Sequence, residues 1–329
     1  MLALLQQDLI PKLPLDRWVQ SFVSFLTRNF REVFQVIKAI INVFVNAFDA
    51  VLTAPPELVM VAILALIALL VASWRLAVFS VLGFVLLISL GLWDQSMLTL
   101  ALILASAIIA LIIGIPLGIL AAKSRVLEEA AKPTLDIMQT MPAFVYLVPM
   151  VVFLGLGSGP ALVATVVFAT PPAVRLTLLG IQQVPQNTVE AAHAFGATPW
   201  QTLRKVELPQ ALPTIMAGVN QVIMLALSMT VIAALVGAGG LGEGVVQGLS
   251  QLNVGQAFIG GVGIVVIAIY LDRVTRSLSR TSQRGGVKRR MRRRKGSVSK
   301  FLPGVKADPD TAGTTGAGAE DTTAKEGAR

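Results

Sequence analysis

The chain has 329 residues, of which 55% are hydrophobic and only 14% charged, a balance that excludes an ordinary soluble domain and fits several membrane spans in one domain. It contains no cysteine and one histidine, so neither disulfides nor thiolate metal sites are available. The formal charge of +9 is concentrated, because residues 281–300 carry nine Lys/Arg and no acid, leaving the rest close to neutral.

Residues 1–15 are short, proline-broken and lack a cleavable signal pattern. From Asp16 to Leu52 the spacing predicts one helix. Arg28, Arg31/Glu32, Gln35, Lys38, Asn42, Asn46 and Asp49 draw a polar stripe, and phenylalanines and branched residues cover the remainder. Such a helix, residues 1–54 with their lead-in, suits the membrane interface, since as a span it would strand charges in lipid. The alternative is an additional span with the stripe turned inward.

Pro55-Pro56 stops that helix and opens a transmembrane region over 55–283. Seven spans are predicted: 57–73 and 76–92 as a tight pair around Trp74-Arg75, then 97–122, 137–156, 161–180, 212–236 and 256–271. Trp74 and Trp93 sit at span ends, where interfacial aromatics belong. Ala110, Gly114 and Gly118 form a small-xxx-small ladder that permits close helix approach, and Pro116 is placed to kink the same span. In the short loops Lys123, Arg125, Lys132, Arg204, Lys205, Arg273, Arg276 and Arg280 fall on one side, with Asp94 and Glu243 on the other. The C-terminus is therefore expected to be cytoplasmic. An odd span count puts the N-terminal helix outside, where Arg17, Arg28, Arg31 and Lys38 conflict with the rule.

Between the fifth and sixth spans lies a polar stretch, Asn187 to Pro209, within a loop over 186–210. It reads as two short helices. Asn187 is a candidate N-cap with Glu190 completing a capping box, and Gly196 supplies the left-handed position that ends the helix. Thr198, Pro199 and Gln201 then form a second N-terminus, again with a capping box. Trp200, Leu203 and Val206 recur every three residues and predict one apolar face, suited to docking in a groove of another protein. The lone His193 lies on this element as an ordinary surface histidine.

Beyond Asp272 the chain turns polar. Lys288–Lys295 holds seven cations in eight residues, and a Gly/Ala/Thr/Asp tail follows, so residues 284–329 are expected to be a disordered basic tail contacting anionic lipid. Nothing folded lies beside it to read nucleic-acid bases.

No P-loop motif occurs, so this chain is not expected to hydrolyse ATP. The span interiors hold no Asp, Glu, Lys or Arg, Arg175 being nearest, which argues against an ion-coupled carrier. No metal cluster and no nucleophile–base pair appears, so no catalytic residue is assigned. Polar and aromatic groups within the spans, namely Phe144, Tyr146, Asn220, Gln221, Ser228 and Thr230, are candidates for a solute path. Asn220, Gln221 and Ser228 are expected to share one inward sector, with plain inter-helix packing as the alternative.

The spacing Glu190-Ala191-Ala192, three residues, Gly196, nine residues, Val206, one residue, Leu208-Pro209 resembles the EAA loop of ABC-importer permeases. Asp136–Pro149, Met216–Ser228 and Gly237–Gly244 resemble the glycine betaine/proline (osmoprotectant) permeases, and the likeness covers about residues 14 to 283. The resemblance implies an all-α, type I importer-like permease subunit in the inner membrane, with Glu190, Ala191, Ala192, Gly196, Val206, Leu208 and Pro209 coupling it to a separate ATPase that binds ATP and Mg. It further implies a solute-binding protein outside and a second permease copy. Choline, carnitine or another amine is the neighbouring substrate reading; a carrier or channel working without an ATPase is the reading from a different class.

Overall fold

The computed structural model describes residues 14–301, and the described residues are helical with no strand. Expectations for residues 1–13 and 302–329 lie outside the described residues. The chain divides into two units, Met1–Gln283 and Arg284–Arg329.

The single N-terminal helix of the sequence reading is two, α1 (Leu15–Asn29) and α2 (Arg31–Thr53), broken at Phe30. Helix α1 is amphipathic and exposed along most of its length. Helix α2 is long and apolar enough to cross a membrane. Its stripe splits: Arg31, Glu32, Gln35 and Asn46 are exposed, whereas Lys38, Asn42 and Asp49 are half-buried beside Ile41 and Val45.

Then come α3 (Glu57–Val71) and α4 (Trp74–Ser89), joined by a two-residue turn in which Ser73 Oγ accepts from the Leu76 N–H at 3.4 Å. The centre of the bundle is α5 (Trp93–Lys123) packed against α8 (Ser158–Gln182) and α11 (Leu208–Ala233). The small-residue ladder makes the first of these contacts. A Cβ on Gly114 would lie 2.5 Å from the Ala173 Cβ, and one on Gly118 would lie 2.7 Å from the Val174 carbonyl oxygen. Backbone cannot yield as a side-chain tip can, so Gly118→Leu is expected to cost upwards of about 3 kcal/mol. The thermal midpoint and detergent-extracted yield of that variant should both fall well below those of Gly261→Leu, where a Cβ meets no atom within 4 Å.

Between α5 and α8 the expected span 137–156 is not one helix. Helices α6 (Arg125–Thr140) and α7 (Ala143–Leu154) meet at 94°. The cause is Pro142, whose ring disfavours helical backbone in the residue before it. Met141 accordingly sits at φ −72°, ψ 133°. Twelve residues rise only about 18 Å, so α7 alone cannot cross. Helices α12 (Leu241–Ser250) and α13 (Val254–Phe301) complete the described residues. Helix α13 continues in backbone through the basic run, which the sequence had read as without regular structure.

Among the described residues, five helices are therefore long and apolar enough to span: α2, α5, α8, the continuous run Pro199–Val236 and the Val254–Leu278 part of α13. The bent α6–α7 pair makes a sixth, and α3 and α4 are shorter apolar helices of 15 and 16 residues. The difference from seven predicted spans arises at α3 and α4, which are too short to count, at α2, which adds one, and at the 94° bend, since a hydropathy run reports composition and not helix ends or direction.

Candidate functional site

The elbow expected over 186–210 is built from short-range hydrogen bonds. Its first helix, α9 (Gln186–Ala194), begins directly after Pro185, two residues earlier than an Asn187 N-cap implies. Asn187 therefore lies inside the first turn and the expected Asn187–Glu190 capping box does not form. Glu190 Oε1 instead accepts from Gln186 Nε2 at 3.0 Å. The C-terminus of α9 follows the expectation. Gly196 has φ +77°, its N–H donates to the His193 carbonyl at 2.8 Å, and the Ala197 N–H donates to Ala192 at 3.0 Å. This pair of bonds is the Schellman closure, which needs a left-handed residue at the glycine.

The second helix, α10 (Pro199–Thr202), carries the predicted box in full: Gln201 N–H to Thr198 Oγ1 at 3.4 Å, and Thr198 N–H to Gln201 Oε1 at 3.1 Å. It does not end as a separate helix. A π-helical turn over Leu203–Glu207 carries it into α11 without a break. Pro209 lies at the start of α11, and a proline ring clashes with the carbonyl four residues back, so a widened turn at Lys205 relieves it.

This register turns Glu207 inward. Only 5% of the residue is exposed, and its Oε2 accepts from Lys123 Nζ, at the end of α5, at 2.5 Å. The elbow is thus tied to the bundle by a half-buried ion pair that the sequence reading missed, because one acid in a polar loop carries no periodic signal. A second tie joins Arg175 of α8 to Asp136 of α6.

The expected apolar face does not stay together. Leu203 is buried and Val206 half-buried, but Trp200 is 67% exposed, as is Phe195 at 93%. Glu190, Ala191, Gly196 and Pro209 are also exposed, with Ala192 and Leu208 half-buried. The outward surface of the elbow therefore presents two large aromatic rings on either side of Gly196 in the chain.

The six candidate path residues do not converge. Phe144 is exposed on α7. The Tyr146 hydroxyl donates to the Met138 carbonyl at 2.7 Å, bracing the α6–α7 bend, and its ring lies 6.3 Å from Phe168. On α11, Gln221 and Ser228 share an exposed face with Met224, and Ser228 donates to the Met224 carbonyl at 3.0 Å. Asn220 is half-buried and its Oδ1 has no hydrogen-bond partner. Thr230 is buried and donates to the Ala226 carbonyl at 2.9 Å, on the opposite side from Gln221, as nine residues at about 100° each require. No group of three or more His, Cys, Asp or Glu able to hold a metal occurs among the described residues.

Residues 114–283 match the family described as binding-protein-dependent transport system inner membrane component. The chain is 46% identical over 277 residues to the glycine betaine/proline betaine transport system permease protein of Escherichia coli K12, covering 84% of this chain and 78% of that one. It is 47% identical over 278 residues to the glycine betaine/carnitine transport permease protein of Listeria monocytogenes, covering 83% and 98%. A solved inward-facing structure of the MetNI methionine ABC transporter superposes with a TM-score of 0.55 at 27% identity, over 58% of this chain and 95% of that one. The fold is that of a type I ABC-importer permease, and the chain belongs to the binding-protein-dependent transport system inner membrane component family.

Proposed function

We propose that this chain is the permease subunit of an ATP-driven importer for glycine betaine, proline betaine and similar compatible solutes. The observation that carries the reading is near-half identity, over most of the chain, to permeases named for glycine betaine in two bacteria. On this reading the chain is a multi-pass protein of the inner membrane with its C-terminus cytoplasmic, and it works as one of two copies. A solute-binding protein delivers cargo from outside, and ATP and Mg bind a separate ATPase. Glu190, Ala191, Ala192, Gly196, Val206, Leu208 and Pro209 form the coupling element. The exposed Phe195 and Trp200 enter a groove of the ATPase, and the unbroken run from Pro199 through α11 transmits its motion to the bundle.

A second reading, favoured by the carnitine in the Listeria relative's name, widens the cargo to carnitine or choline. Uptake of labelled glycine betaine into proteoliposomes holding the permease, its ATPase and its binding protein separates the two. Competition by proline betaine but not by choline or carnitine supports the first. No ATP-dependent uptake of any of these solutes would overturn both.

Within the bundle, Gln221 and Ser228 face the solute path or the second copy, and Thr230 serves packing. The chain has no cysteine to confuse labelling. Gln221→Cys and Ser228→Cys should react with a small polar thiol reagent in membranes, at rates that change on ATPase turnover, while Thr230→Cys stays unreactive. Resistance at both 221 and 228 would make these side chains inter-helix contacts only.

A further inference from the structure

Away from the elbow, the α3–α4 turn lies beside the α13 segment over residues 269–277. Tyr270 of α13 donates from its hydroxyl to the Leu64 carbonyl at 3.1 Å, and Ser277 Oγ donates to the Val71 carbonyl at 2.6 Å, fixing α13 along α3. Where they meet is a cleft of about 420 Å³ lined by three arginines, Arg75 of α4 and Arg273 and Arg276 of α13. Arg276 Nε donates to Asp272 Oδ1 at 2.7 Å. Neither Arg75 nor Arg273 has an ion pair among the described residues. Three cations thus line one cavity against a single carboxylate, a local excess of positive charge that attracts an anion.

The surroundings specify what kind of anion. Trp74, 65% exposed, lies under the Arg75 guanidinium at 5.8 Å, a pairing typical of the membrane interface. Leu70 of α3, Val78 of α4 and Val265 of α13 are exposed apolar residues on the helices that form the cleft. Helices α3 and α4 have 15 and 16 residues, which at about 1.5 Å per residue reach about 22–24 Å, short of a hydrocarbon layer of about 30 Å. The turn between them therefore draws the headgroup layer inward to meet it. We propose that this cleft binds the phosphate of an anionic phospholipid, held by Arg75 and Arg273, with its acyl chains lying along the exposed faces of α4 and α13. Guanidinium groups suit this task because their planar donors grip phosphate oxygens in pairs. The inference uses only the membrane setting of the chain and is independent of the solute carried.

Native mass spectrometry of the full chain, released from detergent with phosphatidylglycerol or phosphatidylcholine, tests it. The wild type should retain one phosphatidylglycerol per chain in clear preference to phosphatidylcholine. Arg75→Gln/Arg273→Gln should weaken that retention on the order of tenfold or more. Both proteins keep the basic run at 288–295, so the difference reports the cleft. Both arginines are exposed, and an unchanged thermal midpoint in lipid-free detergent verifies folding. Equal retention of the two lipids, or phosphatidylglycerol binding unaltered in the variant, overturns the proposal. Displacement of the lipid by millimolar inorganic phosphate would assign the cleft to free phosphate and overturn the lipid assignment.

Discussion

Gly196→Val is expected to abolish uptake, to below about a tenth of wild type, and to remove the permease-stimulated part of ATP hydrolysis, while leaving membrane insertion and abundance intact. The reasoning is local. Gly196 holds φ +77°, where an L residue costs about 1–2 kcal/mol and a β-branched one more. A Cβ there would meet nothing within 4 Å, so no clash spreads into the bundle and global stability is spared. What is lost is the pair of bonds from Gly196 to His193 and from Ala197 to Ala192, and with them the fixed angle between α9 and α10. Gly196→Asn, whose side chain tolerates the left-handed region, should retain a large part of the activity. Normal uptake by the valine variant would mean that the elbow angle transmits nothing.

The second large effect concerns Lys123 and Glu207. Lys123→Met should destabilise the protein by about 2–4 kcal/mol, because it leaves a carboxylate in a site where its side chain is 6% exposed, with no cation beside it. The upper part of the range for buried pairs is discounted because the lysine side chain is itself 42% exposed. Lys123→Met/Glu207→Gln should recover most of the loss, since the unpaired charge is then gone. Thermal midpoints in detergent check both values. A single variant as stable as wild type would show that water reaches Glu207 and that the pair is not what ties the elbow to α5.

How far the sequence discloses this arrangement depends on the range of the interaction. The Thr198–Gln201 box and the Gly196 closure are legible because every partner lies within five residues, and both form as read. The Asn187 box fails for an equally local reason: Pro185 presets its own φ and starts the helix two residues sooner. The Ala110–Gly114–Gly118 ladder is legible as a close-approach surface, though only the structure shows that Ala173 and Val174 fill it. Direction is harder to read than composition. The 137–156 run is apolar enough to look like a span, and the Met141–Pro142 step turns it through 94°. The stripe on α2 is visible, but it takes the neighbours to show that Lys38 lies toward Gly155, 3.3 Å from where a Cβ there would be, at the C-terminal end of α7 where a cation is favoured. Glu207 and Tyr146 acquire their roles from partners far away in the chain or across a bend, and no spacing rule reports those.

If the exposed Phe195 and Trp200 rings are the surface through which a separate ATPase moves this chain, they lie against that ATPase in the assembled importer. A photo-reactive amino acid placed at position 195 or 200, in cells that also make the partner ATPase, tests it most directly. A covalent product between permease and ATPase is expected from both positions, changing in yield when ATP is bound, and none from position 78 on the exposed face of α4. Absence of that product at 195 and 200, in cells that still show ATP-dependent uptake, would contradict it.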